Sequence, residues 1–249
     1  MRLLILTNRD FPSYYALKRL LPFVQGHTVR VLQTAQVGAP GTMPSALVDL
    51  ARHEQSLLQD QLSLPRGTAY SVIQTAVSQQ LGVSMTTVTD VNQGPGFELM
   101  QSFRPDLMVS VRFGSILQPA AINLPSLGVI NLHSGLLPDY RGVMATFWSM
   151  LHQRPDYGYC IHDIIDDGID TGPTIEQETL PLDLNCDYFS QLLALYQKAV
   201  PRLASIIEQR LSAASVPRRL GQAKDAGGYY STPSESDVAQ FSNLGLRLF

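Results

Sequence analysis

Asn131-Leu132-His133 closes one apolar run of the chain, and an acidic loop, Asp166-Asp167-Gly168-Ile169-Asp170-Thr171-Gly172-Pro173, follows another. An amide, an imidazole and a carboxylate held together supply an oxyanion donor, a proton acceptor and an orienting group. Residues 128–132 read as a strand, and positions i and i+2 of a strand project from one face, so Asn131 and His133 can enter one pocket. Ligand sites of open α/β sheets lie beyond the carboxyl ends of their strands. The glycines and proline of the acidic loop suit a tight hairpin between strands predicted over 158–165 and 174–181. Taken singly, a strand-end histidine is usually a satisfied polar residue and a DDG run a solvated turn. It is their joint position at the ends of neighbouring strands that makes Asn131, His133 and Asp170 catalytic candidates.

The elements that must position these groups begin with a strand over 2–7. A helix over 14–24 follows, with Leu17, Leu20, Leu21 and Val24 on one stripe and Ser13 as N-cap, then a strand over 27–32. This βαβ opening predicts an α/β protein, Rossmann-like, with a mostly parallel central sheet and helices on both faces. Gly38, Pro40, Gly41 and Pro44 break up 34–47, and helices are predicted over 45–62 and 68–81. The stretch of about 34–84 is therefore a helical insertion rather than a domain of its own. Strands at 84–88 and 107–111, helices at 97–103, 119–123 and 146–152, and a long helix over 187–211 complete a catalytic domain of 1–211. Residues 212–249 form a C-terminal tail whose short helix, with Val238 and Phe241 on one face, packs on the core. The first strand-helix junction, 7–13, contains no glycine, so it carries neither a dinucleotide fingerprint nor a phosphate loop, which disfavours NAD and ATP.

Composition narrows the partners. The 249 residues are 45% hydrophobic and 16% charged, proportions that suit a globular core, and the net charge of -3 opposes general binding to nucleic acid or an anionic membrane. Cys160 and Cys186 form no CxxC pair and no metal cluster, and read as two ordinary buried or half-buried thiols of a reducing cytosol. Residues 1–7 lack a signal-peptide pattern and no uncharged stretch is long enough to span a bilayer, so a soluble cytoplasmic protein is expected.

Three segments, Asn131-Leu132-His133, Leu136-Leu137-Pro138-Asp139-Tyr140-Arg141-Gly142 and Asp167-Gly168-Ile169-Asp170-Thr171-Gly172, resemble those of the 10-formyltetrahydrofolate-dependent formyltransferases. Phe113-Gly114-Ser115-Ile116-Leu117-Gln118-Pro119 is similar to that family's folate-side segment. The resemblance is specific over 106–173 and general from the start to about 181. It implies the formyltransferase fold, 10-formyltetrahydrofolate as co-substrate, and no metal. Asn131 would then hydrogen-bond the formyl oxygen as charge develops on it, His133 would help remove a proton from the attacking amine, and Asp170 would orient His133 or a bound water. The pterin would lie between the backbone of 115–117 and the loop 166–170. Phe113, Ser115, Ile116, Leu117, Val129, Asp166, Asp167 and Gly168 would be the cofactor-binding residues, with core packing the competing role of the apolar ones. Tyr140, Arg141 and Trp148 are acceptor-side candidates, with Arg141 facing a phosphate or else anchoring its loop. Tyr229 and Tyr230 join them, although pinning the tail is the favoured role of that pair.

Departures choose among relatives. The purine-pathway enzyme's phosphate loop is missing at 8–13, and only a short tail stands where the tRNA-formylating relatives carry a further domain. No nucleic acid partner is expected. What remains is formylation of a small-molecule amine, first a nucleotide-linked amino sugar and second an amino-acid-derived amine of a siderophore or peptide natural product. A formyltetrahydrofolate hydrolase and a non-catalytic folate- or nucleotide-binding module are the competing functions. A homodimer is left open.

Overall fold

Apolar runs buried on both faces make the centre of the sheet. The computed structural model describes residues 1–34, 43–213, 221 and 227–249. In chain order the elements are β1 (Arg2–Asn8), α1 (Phe11–Leu20), β2 (Thr28–Thr34), α2 (Ser45–Gln61), α3 (Tyr70–Leu81), β3 (Ser84–Val88), α4 (Gly94–Phe103), β4 (Leu107–Val111) and α5 (Pro119–Ile122). Then come β5 (Val129–His133), β6 (Arg141–Gly142), α6 (Ala145–Leu151), β7 (Asp156–Ile164), β8 (Thr174–Pro181), α7 (Tyr188–Ser212), β9 (Tyr229–Tyr230) and α8 (Glu235–Asn243).

Seven strands form one sheet in the order β3-β2-β1-β4-β5-β7-β8. The pairs from β3 across to β5 are parallel, whereas β7 runs antiparallel to β5, and β8 to β7. Alternate side chains of the central strands feed two hydrophobic clusters. Leu3, Ile5, Val31 and Val109 join the cluster under α7, and Leu4, Leu6, Leu32 and Met108 join the one under α4 and α5. Helices thus cover both faces, as a sheet of near-continuous apolar strands requires. From β1 the chain moves outward to β2 and β3, then returns to place β4 on the other side of β1. That reversal opens a crevice at the carboxyl ends of β1 and β4.

Local chemistry moves several boundaries. The first helix begins at Phe11, because Asp10, not Ser13, is its cap: the Asp10 carboxylate accepts the Ser13 N–H. It stops at Leu20, and Leu21–Phe23, with Pro22, form a 3-10 turn. Pro95 in the first turn lets α4 start at Gly94. Helices α2 and α3 lie within the connection from β2 to β3. Of the turn-rich stretch before them, 35–42 lies outside the described residues, as do 214–220 and 222–226 of the tail. Cys160 is buried, whereas Cys186 is exposed rather than half-buried. Among the described residues no helix is long and apolar enough to cross a membrane.

The tail is integrated into the fold. β9 pairs with β6 outside the main sheet. Ser234 and Asp237 form a capping box for α8, and Phe241 of that helix stacks on Phe147 with ring centroids 4.4 Å apart. The N–H groups of Tyr188 and Phe189 donate to the Arg247 and Leu248 carbonyls.

Candidate active site

The pleat of β5 points Asn131 and His133 the same way, and the antiparallel register of β7 sets His162 opposite Asn131. Asp170 comes to them from the loop between β7 and β8. Its Oδ2 lies 3.5 Å from His133 Nδ1 and its Oδ1 3.3 Å from His162 Nε2. Asn131 Nδ2 lies 3.0 Å from His162 Nε2 and donates to Asp170 Oδ1 at 3.4 Å. The Gly142 N–H donates to Asp170 Oδ2 at 2.8 Å.

These partners assign the tautomer of His133. His133 Nε2 faces the Tyr140 carbonyl at 2.6 Å, which can only accept, so Nε2 carries a hydrogen. Proton exchange at His133 is left to Nδ1, the nitrogen facing Asp170. His162 Nδ1 faces the Asp163 carbonyl at 3.0 Å, and its Nε2 lies within reach of both the Asn131 amide and Asp170 Oδ1.

Asp170 sits at φ +52°, in the left-handed region that aspartate tolerates better than most residues. Burial would raise its carboxyl pKa, but the charge of His133, the hydrogen bond and charge of His162 and the Gly142 N–H outweigh that and bring it down to about 2. The loop is braced by Asp166, whose Oδ1 accepts the Gly168 N–H and the Thr171 hydroxyl. A Cβ at Gly172 would lie 1.6 Å from the Asp163 carbonyl oxygen, so the hairpin closes only with glycine there.

The trio and His162 open into a cavity of about 840 Å³. Phe113, Ser115, Ile116, Leu117, Asp166 and Gly168 line it as well. The wall segment is held by Asn92, whose amide donates to the Ile116 carbonyl and accepts the Gln118 N–H. Val129 does not reach the cavity. It is 1% exposed, two residues short of Asn131 at the buried start of β5, and it packs with Leu4 and Met108. Asp167 points to solvent outside the lining.

Tyr140, Arg141 and Trp148 are buried outside the lining too. Tyr140 stacks on Tyr230 at 5.3 Å and its hydroxyl meets His152 Nδ1 at 3.1 Å, while the Trp148 indole donates to the Ser231 carbonyl. These rings hold the tail. The tyrosine pair divides: Tyr230 joins that cluster, and exposed Tyr229 lines the cavity.

Sequence reasoning missed His162, although its strand was legible, because cross-strand register is set by tertiary pairing. It also missed the wall opposite Phe113. There Arg112 grips Asp10 through Nε and Nη2 at 3.0 and 2.8 Å. Burial would raise the Asp10 carboxyl, but Arg112 and Ser13 hold it below its ordinary range. Beside them Glu54 of α2 is 8% exposed, and burial plus the Asp10 charge push its carboxyl up to about 8.

The family model described as formyl transferase matches residues 74–198. Among curated proteins, the methionyl-tRNA formyltransferase of Kosmotoga olearia is 33% identical over 121 residues, covering 47% of this chain and 39% of its own. The chain thus spans well under half the length of that relative. Among solved structures, a sugar N-formyltransferase from a Shewanella species superposes with a TM-score of 0.61 at 17% identity, over 98% of this chain and 79% of that one. Glycinamide ribonucleotide transformylase 1 from Symbiobacterium toebii gives 0.62 at 14% identity, over 89% and 93%. Those two share the fold, and the family match covers half of the chain, including β5, the acidic loop and the strands around them: the protein belongs to the formyl transferase family.

Proposed function

We propose that this protein moves the formyl group of 10-formyltetrahydrofolate to the primary amine of a small molecule. The observation that carries the proposal is the convergence of Asn131, His133 and Asp170 at the end of β5, in one cavity. The amine nitrogen attacks the formyl carbon, and the carbonyl electron pair moves to oxygen. The Asn131 amide, whose 3.4 Å bond to Asp170 is long enough to be exchanged, donates to that oxygen. His133 Nδ1 takes the amine proton beside the Asp170 carboxylate, which stabilises the imidazolium formed. As the carbon–nitrogen bond to the folate breaks, the leaving nitrogen regains a proton by the same path. The braced segment 115–117 and the loop 166–170 would flank the pterin, matching its polar edge with backbone groups. Residues 1–211 would form the catalytic unit and 212–249 a tail packed on it, in a cytoplasmic enzyme.

Support for a small acceptor comes from the sugar N-formyltransferase likeness and the net charge of -3. A nucleotide-linked amino sugar is the first acceptor to try and an amino-acid-derived amine the second. The test is incubation with 10-formyltetrahydrofolate and a panel of both kinds, read by the acceptor's mass gain and by tetrahydrofolate release. Amine-dependent release that His133→Ala abolishes is the expected result. Undiminished transfer by His133→Ala would sink the mechanism, and release that ignores the amine would make the protein a hydrolase.

A further inference from the structure

The half of the cavity across from Phe113 is walled by α2 and the start of α3, with Leu47, Leu50, Leu58 and Ile73 among its lining. Its floor is the junction of β1 and α1, at the switch point of the sheet. In many open α/β proteins the free N–H groups of such a helix start bind an anion. Here the chain uses those groups itself. The Glu54 carboxyl is turned towards the Phe11 N–H, Pro12 has none, and the Ser13 N–H donates to Asp10 at 2.8 Å. The Arg9 N–H donates to Asn8. Arg112 is matched by Asp10, with the Tyr196 hydroxyl close beside it. Among the described residues that line this wall, the other cation, Arg9, is exposed and lies over the Tyr70 ring, 4.6 Å from its centroid. A phosphate placed on this floor would face the Asp10 carboxylate and the guanidinium that this carboxylate already neutralises, and burying an anion without partners is costly. An alkyl or aryl body would instead meet leucine and isoleucine side chains along α2 and α3.

We infer that the acceptor is a phosphate-free primary amine on an apolar body lodged against α2, and that Glu54 is a specificity-determining residue closing the start of α1 to anions. This rests on the formyl-transfer function proposed above and revises the order of acceptors given there, placing phosphate-free amines before nucleotide-linked sugars.

The experiment compares hexylamine, aminohexyl phosphate and a UDP-linked amino sugar as acceptors for the full chain with 10-formyltetrahydrofolate. Wild-type kcat/KM should favour hexylamine over aminohexyl phosphate by about tenfold, the scale of a helix-start anion contact forgone. Glu54→Ala releases the Phe11 N–H and should bring that ratio towards unity through the acceptor KM. Glu54→Gln still accepts that N–H and should keep the preference, so the comparison survives if the alanine variant does not fold. Transfer to the phosphate ester or sugar nucleotide as efficient as to hexylamine overturns the inference and leaves formyl transfer standing. So does an unchanged ratio in a folded Glu54→Ala protein. If none of the three acceptors gains a formyl group, the inference falls, and the wider acceptor panel above decides whether formyl transfer stands.

Discussion

Asp170→Asn preserves the shape of the side chain at the centre of the site and removes its charge. The carboxylate lies between His133 Nδ1 at 3.5 Å and His162 Nε2 at 3.3 Å and accepts the Gly142 N–H at 2.8 Å. Together these overcome the effect of burial and bring its pKa to about 2 from an ordinary 3.8. At about 1.4 kcal/mol per unit, the ionised group stabilises the fold by about 2 kcal/mol at neutral pH. Because the folded value is the lower one, that contribution is complete above the unfolded value near 4 and is lost as the pH falls through about 2. Urea unfolding of both proteins should therefore show wild type ahead at pH 7, with the gap narrowing by about 1 kcal/mol by pH 3. In the formyl-transfer assay the same substitution should lower kcat by about 10²–10⁴, the range of a lost proton-transfer partner. A stability gap that does not change with pH would show that the histidines do not hold the charge. A variant as fast as wild type would remove Asp170 from the chemistry.

Gly142→Ala tests how the carboxylate is aimed. At φ +99° an added Cβ would stand 2.1 Å from the Tyr230 carbonyl oxygen, so β6 must separate from β9 and its N–H must leave Asp170. Activity should fall well below wild type while the thermal melt shows the main sheet still folded. Arg210→Ala tests the buried pair beside His162, where Nη2 meets Asp163 Oδ1 at 2.8 Å and Nη1 the Leu127 carbonyl at 3.1 Å, both side chains under 10% exposed. Removing one partner of a buried pair costs about 3–5 kcal/mol. Denaturant midpoints should record that loss, and a change under about 1 kcal/mol would mean that Asp163 finds water instead.

How much of this was legible in the chain depends on the range of the physics. The strands 84–88, 107–111 and 174–181 read correctly, because glycine, proline and polar clusters that act locally set their ends. Asn131, His133 and Asp170 read as a group because a strand's pleat and a glycine-rich hairpin are also local. The start of α1 was misplaced because Ser13 and Asp10 are both good caps, and only the packed helix shows which one accepts. His162 needed the register of β5 on β7. Glu54 needed the packing of α2 over the switch point, and a lone glutamate on a helix carries no mark of burial. Tyr140 and Arg141 sit in a motif-like segment and Trp148 in the helix after it, yet all three lie against the tail instead of the cavity, and nothing local distinguishes the two roles.

The tail's place in the fold bears on the chemistry. Tyr230 is held between Tyr140 and Trp148, and its carbonyl accepts the Val143 N–H while the Gly228 carbonyl accepts the Arg141 N–H. Those two bonds fix β6, β6 carries Gly142, and the Gly142 N–H orients Asp170. A residue close to the end of the chain is thereby coupled through three backbone hydrogen bonds to a carboxylate in the middle of it. Side-chain loss at Tyr230 would remove its stacking on Tyr140 and Trp148 and loosen β9, whereas loss at Tyr229, which lines the cavity, would leave that stacking intact. The two adjacent tyrosines should therefore separate kinetically, Tyr230→Ala acting on kcat through Asp170 and Tyr229→Ala on KM through the cavity wall.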